Sequence, residues 1–231
     1  SINYSNHRIT DSVLILNNNY LTENDKRLEY VQLSYEFKSD KRDSRNYPLE
    51  GSFWKARLTQ YGVGILSDLS LFNLDIEAKK YIELRPRFYL AGGIRAILTP
   101  NSNQPYLLRN GLGYSSFGIR SYEYYIIDGQ SMGLSRAQIR YQLIQPKSID
   151  LKGISQRFGK FHYAFYLGIF SDFAYVDDQI GYDQNRLANE IQFGHGIALD
   201  FVSYYDIVMR AEYSFNKFGE SGLFLHFVAP I

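Results

Sequence analysis

Apolar and polar residues alternate with a period of two along most of the chain. In "YVQLSYEF", Val31, Leu33, Tyr35 and Phe37 fall on one face and Gln32, Ser34 and Glu36 on the other, the spacing of a half-buried β-strand. The pattern returns in Phe72, Leu74, Ile76 and Ala78 against Asn73, Asp75, Glu77 and Lys79. It returns again in Ala137, Ile139, Tyr141 and Leu143 against Arg136, Gln138, Arg140 and Gln142. Further runs begin at Phe88, Tyr163, Ile191 and Ile207. Together these runs predict about nine strands of roughly 9 to 14 residues, longer than the usual five or six. A weaker tenth is expected near Ile9 to Leu16.

Turn signals separate the runs: "SDKRDSRNYPLEG", "GVG", "TPNSNQP", "VDDQIGYDQN" and "NKFGESG". A few connections are short and several are long and polar, the asymmetry of a barrel with tight turns at one end and extended loops at the other. Helical periodicity is nearly absent, so the fold class is all-β and antiparallel, with residues 1–231 as one unit. The apolar runs Val13 to Leu16 and Ile126 to Ile127 fall far short of the roughly 20 residues a transmembrane helix needs. Two architectures fit the alternation. A soluble sandwich or lipocalin-like barrel buries the apolar face; a transmembrane β-barrel turns it to lipid and the charges to a polar lumen. Strand length, Tyr and Phe at strand ends, and charges such as Asp75, Glu77 and Lys79 on one strand face favour the membrane barrel.

Composition then removes several functions. A net charge of +1 gives nucleic acid no electrostatic reason to bind. With no cysteine there is no disulfide, thiolate metal site or thiol nucleophile. His7, His162, His195 and His226 are scattered over distant segments, with no HExxH, phosphate loop or close His/Asp/Glu cluster, so neither catalysis nor a metal or other cofactor is expected. Asp177, Asp178 and Asp183 are read as solvated loop acids rather than a Ca²⁺ site. The chain opens on Ser with no signal segment, which suggests a processed or partial product of a longer chain.

One stretch stands apart. "FGIRSYEYYIIDGQ", Phe117 to Gln130, packs an arginine, an acid and three tyrosines between two strand-like runs. With the following "LSRAQIRYQLI", it resembles the sixth loop and next strand of the BamA/TamA superfamily of outer-membrane insertases and translocation pores, the surface-antigen type. The family's loop motif reads here Ile119, Arg120, Ser121, Tyr122, with Ser121 where the family has glycine. "YEFKSDKRDSRNYPLEGSFWKARL" is similar to the family's strand, turn and next strand, with Asp43, Pro48 and Gly51 in the matching places. "YLGIFSDFAYV" is similar to its F-x-D strand, with Phe170 and Asp172. The end of the chain, from Gly194 on, resembles the last three strands of Bacteroidetes-like members. The likeness runs from about Tyr30 onward and corresponds to the C-terminal portion of a roughly sixteen-stranded barrel. The periplasmic modules of the family have no counterpart here.

The resemblance implies that the loop folds into the lumen and that Arg120 meets an acid on the inner wall. Asp172 is the expected partner, in register with the small residues Ala164, Gly168 and Ala174, and Glu123 is a competitor; Tyr122, Tyr124 and Tyr125 are expected to pack on the wall. It also implies a C-terminal β-signal at Glu220, Gly222, Leu225 and Phe227, followed by "VAPI", with Gly219 and Gly222 loosening a labile last edge. The implied function is insertion or translocation of other outer-membrane proteins, without cofactor or bond chemistry. The implied partners are the outer-membrane bilayer, client β-barrel or secreted proteins, and accessory lipoproteins or the N-terminal part of the barrel. A diffusion porin and a structural subunit of a secretion complex are the alternatives; periplasmic modules upstream would favour the insertase.

Overall fold

The computed structural model describes residues 1–21, 25–63, 67–100, 104–109, 111–114, 118–150, 160–179, 185–203 and 207–227. Phe117, Asp183 and the terminal 228–231 lie outside the described residues.

Among the described residues, ten strands form one antiparallel sheet in simple chain order: β1 (Ile2–Arg8), β2 (Arg27–Asp40), β3 (Gly51–Tyr61), β4 (Leu71–Arg85), β5 (Phe88–Leu98), β6 (Ser131–Asp150), β7 (Lys160–Asp177), β8 (Gln192–Ser203), β9 (Val208–Asn216) and β10 (Ser221–Phe227). Among the described residues, no pairing joins β1 to β10, so the sheet is open between its first and last strands. One strand lies away from its expected place. The tenth strand is Ile2–Arg8, while the region near Ile9 to Leu16 holds a short helix, α1 (Asp11–Leu16). "DSVLIL" has no alternation, and a strand cannot be distinguished from a single helical turn over so few residues.

Because neighbours follow each other antiparallel, the connections fall at alternating ends. One end carries 9–26, 62–70, 99–130, 178–191 and 217–220; the other carries 41–50, 86–87, 151–159 and 204–207. The predicted asymmetry is therefore partial. The tight turn after β4 needs Arg87 at a φ of 73° beside a register shift at Glu83/Arg85. By contrast the ten residues of 41–50 do not make a tight turn, because they fold against the inner wall.

The two faces of the sheet are inverted relative to a water-soluble protein. Leu33, Tyr35, Trp54, Ile94, Leu167 and Ile169 are exposed on the outer face. The residues that alternate with them are polar and buried: Gln138, Arg140, Asp172, Asp200, Arg210 and Glu212 each have at most 2% of their surface exposed. Water does not stabilise a continuous outer face of Leu, Ile, Phe and Trp. Hydrocarbon does, provided the strands leave no backbone group unpaired toward it. Among the described residues, no helix is long and apolar enough to cross a membrane. The fold is an antiparallel transmembrane barrel wall with a polar inside.

Strand register writes charge pairs across that inside. It sets Lys55 opposite Glu77, Arg136 opposite Asp172 and Asp200 opposite Arg210, the cross-strand arrangement that stabilises a shared face. Lys55 Nζ lies 3.2 Å from Glu77, and Arg95 Nε lies 3.1 Å from Asp75.

Candidate functional site

The segment after β5 returns along the inner wall. Leu112 and Ile127 exchange backbone hydrogen bonds, closing its base as a small hairpin. Apolar side chains then seat it: Leu112, Ile119, Tyr122 and Ile127 pack against Met132, Leu134, Ala174 and Val176 of β6 and β7. A polar lumen was expected throughout, so this apolar footing is a correction to the uniform picture. Met132 and Leu134 were the available signal, since both sit on the strand face that otherwise carries arginine and glutamine.

Arg120 lies on this footing with 2% exposure. Its Nε donates to Asp172 Oδ2 at 2.8 Å, its Nη2 donates to Oδ1, and its backbone N–H donates to Oδ2 at 3.0 Å. A guanidinium fork on one carboxylate is the strongest common side-chain pairing, and its strength grows where water is excluded. Nη1 donates to Gln138 Oε1 at 3.1 Å, and the guanidinium carbon stands 3.9 Å from the centre of the Phe170 ring. Arg136, the register partner of Asp172, has its Nε 3.6 Å from Oδ2. Asp172 therefore stands between two arginines.

Ser121 adopts a φ of 75°. That left-handed backbone is one a glycine enters without penalty, which gives the physical meaning of the glycine the resemblance places here. Its Oγ donates to the Arg120 carbonyl, and its N–H donates to Glu123 Oε1 at 3.3 Å. Across from it, a Cβ added at Gly194 of β8 would lie 2.2 Å from the Arg120 oxygen. Gly194 is thus a required gap in the wall, missed because only the small residues of β7 were read as making room.

The rest of the motif divides. Ile119 and Tyr122 are buried with Arg120, and the Tyr122 hydroxyl donates to Gln192 Oε1 at 3.2 Å. Glu123 does not compete for Arg120; the left-handed turn at Ser121 aims it the other way, to within 4.0 Å of His226 Nε2 on β10. Burial, with the Glu212 charge adding to it, raises the pKa of the Glu123 carboxyl above its ordinary value. Tyr124 is not packed on the wall, being 88% exposed, with its ring 5.8 Å from that of Phe224. Tyr125 reaches the turn after β9, where its hydroxyl donates to Glu220 at 2.6 Å.

A second inward loop comes from the opposite end. The Tyr47 hydroxyl donates to Asp200 Oδ2 at 2.7 Å, and Arg140 Nη1 donates to the Pro48 carbonyl at 2.9 Å while its guanidinium covers the Tyr47 ring. Burial pushes the Tyr47 phenol well above its usual pKa. Arg210 closes on Asp200 with Nε at 2.6 Å and Nη2 at 2.8 Å, and Nη2 also donates to Gln138 Oε1 at 3.2 Å. Gln138 therefore accepts from both Arg120 and Arg210. One run of hydrogen bonds, Tyr47, Asp200, Arg210, Gln138, Arg120, Asp172, joins the two loops across the wall.

Of the last-strand residues, Glu220 precedes β10, Gly222 faces inward, and Leu225 and Phe227 face outward and are exposed. Gly219 has a φ of 79° in the turn before β10, so it makes the hairpin rather than loosening the edge. Asp178 also differs from its expected solvated state: it is buried and accepts from Gln130, from Asn185 at 2.7 Å, and lies 3.9 Å from Arg109. Three acids and bases that sequence spacing kept apart do meet: Glu123, Glu212 and His226 bring their side-chain donor atoms within 4.8 Å of one another. Separation along the chain hid them, because the loop and the last two strands converge only in the fold.

The inverted sheet and the arginine-bearing inner loop define a transmembrane β-barrel whose lumen is occupied by its own chain. A family model, the Omp85 superfamily domain, matches residues 1–204, and the chain belongs to that superfamily. The match begins earlier than the likeness from Tyr30 and stops before β9 and β10, so Glu220, Gly222, Leu225 and Phe227 lie beyond it. No curated protein matches the chain.

Proposed function

We propose that this chain is the C-terminal wall of an outer-membrane barrel that inserts or translocates other outer-membrane proteins, with residues 1–231 as one barrel unit. Membership of the Omp85 superfamily supports the class of activity. The observation that carries the reading within it is the buried fork of Arg120 on Asp172, because a loop that only capped a pore needs no such anchor. The work is mechanical and calls for no catalytic residue: the loop braces the inner wall while β10, with one edge unpaired among the described residues, offers a template for an incoming strand. In this reading Glu220, Gly222, Leu225 and Phe227 serve as the barrel's own recognition signal. Client β-strands, the bilayer, accessory lipoproteins and the remainder of the barrel are the partners.

A wide diffusion pore is less well supported, since two loops cover the inner face. The test is the folding rate of a urea-unfolded outer-membrane barrel added to vesicles holding the full-length protein. Acceleration that falls in Arg120→Glu supports the proposal; ion conductance with no acceleration of client folding overturns it.

A further inference from the structure

Glu212 on β9 is 1% exposed, faces inward, and among the described residues neither of its carboxylate oxygens receives a hydrogen bond. A buried carboxylate without donors is costly, and native structures resolve such groups with a partner or an ion. Around it stand two potential metal ligands. His226 Nε2, itself without a hydrogen bond among the described residues, lies 3.4 Å from Glu212 Oε1, and Glu123 Oε1 lies 4.0 Å from the same nitrogen. All three donor atoms fall within 4.8 Å of one another. Glu123 and His226 edge a cavity of about 410 Å³ between the loop and β10, lined also by Tyr122 and Tyr125, and Glu212 reaches it through its contact with His226.

We propose that Glu123, Glu212 and His226 form a divalent-metal site of the zinc class. Ligands at about 2.0–2.2 Å around a tetrahedral metal stand roughly 3.4 Å apart. The Glu212 to His226 spacing already has that value, and Glu123, on a loop, needs only a small approach. One imidazole nitrogen with two carboxylates suits Zn²⁺ or Co²⁺ better than Ca²⁺ or Mg²⁺, which take oxygen alone. Two carboxylates, a neutral imidazole and a divalent ion sum to zero charge, which suits a buried place. Arg136 borders the same cavity, and Asp172 lies beside its guanidinium. The metal would bridge the loop to both β9 and β10, fastening the terminal edge strand to the segment that carries Arg120. The site stands on its own geometry and does not depend on the insertase reading.

The test uses tag-free full-length protein in detergent, incubated with Zn²⁺, freed of excess by gel filtration and assayed by elemental mass spectrometry; Co²⁺ is the spectroscopic probe. About one Zn²⁺ per chain is expected. Glu123→Gln and His226→Leu should lose it, and His195→Leu, on the outer face, should keep it. Folding of each variant is read from its heat-dependent gel mobility. Should a variant not fold, protection of His226 from diethyl pyrocarbonate by Zn²⁺ in the wild type decides. No bound metal, equal metal in His226→Leu, or no protection leaves only a His226–Glu212 ion pair and overturns the proposal.

Discussion

Gly194 and Arg120 are in backbone contact, so close that a methyl group on the glycine would stand 2.2 Å from the arginine's carbonyl oxygen. Backbone on both sides leaves nothing to rotate away. Gly194→Ala is therefore expected to lift the loop from the wall and expose the bond after Arg120 to trypsin in the folded protein. Gly133→Ala, where an added Cβ meets nothing within 4 Å among the described residues, should leave that bond protected. Equal resistance in the two variants would mean that the loop is not held where the structure places it.

Removing Arg120 strands Asp172 with Arg136 as its remaining charged neighbour within 4 Å among the described residues. Breaking a buried ion pair from one side costs about 3–5 kcal/mol. Arg120→Ala should lower unfolding stability by that order, and Arg120→Ala with Asp172→Asn should be less destabilised than Arg120→Ala alone. Charge reversal is a poorer probe, because Asp172→Arg sets a second guanidinium beside Arg136. Urea unfolding in detergent provides the comparison, and simple additivity of the two substitutions would exclude the pairing.

Ser121 holds a backbone conformation that costs a non-glycine residue about 1–2 kcal/mol. Ser121→Gly removes that strain while losing one hydroxyl contact. The expected result is a protein as stable as the wild type or more stable by up to about 1 kcal/mol, with trypsin resistance retained. A loss of more than about 1 kcal/mol would show that the hydroxyl bond to the Arg120 carbonyl outweighs the strain.

Gln138 accepts from both Arg120 and Arg210. Gln138→Leu deprives two buried guanidinium groups of an acceptor and should cost about 2–4 kcal/mol, whereas Gln138→Glu keeps the acceptor and should cost less. Tyr47→Phe, which removes one donor from Asp200 at the far end of the same run, should cost about 1–3 kcal/mol. Thermal loss of heat-dependent gel mobility ranks the three.

Much of the wall was legible in the chain because period-two alternation needs only neighbours in sequence. Val31 to Phe37 and Arg136 to Leu143 declare their faces without reference to anything distant. The face of Asp172 was readable for the same reason, since its register with Ala164, Gly168 and Ala174 is local, whereas its pairing with Arg120 was legible only through the resemblance of the loop and the F-x-D strand to a known family. The inward turn of 41–50, the gap at Gly194 and the meeting of Glu123 with Glu212 and His226 were not, because each depends on where two remote segments touch. The aim of Glu123 turned on a single φ at Ser121, which no pattern of residue types specifies.

Whether the apolar face lies against lipid is tested most directly by Trp54, which sits on the outer face of β3 with 55% exposure. In vesicles of brominated phospholipid holding the full-length protein, the fluorescence lost in Trp54→Phe isolates its signal. Strong quenching of that component by bromine on the acyl chains, with little quenching by aqueous iodide, is the predicted result. Quenching by iodide and not by brominated lipid would place Trp54 in water and contradict the membrane barrel.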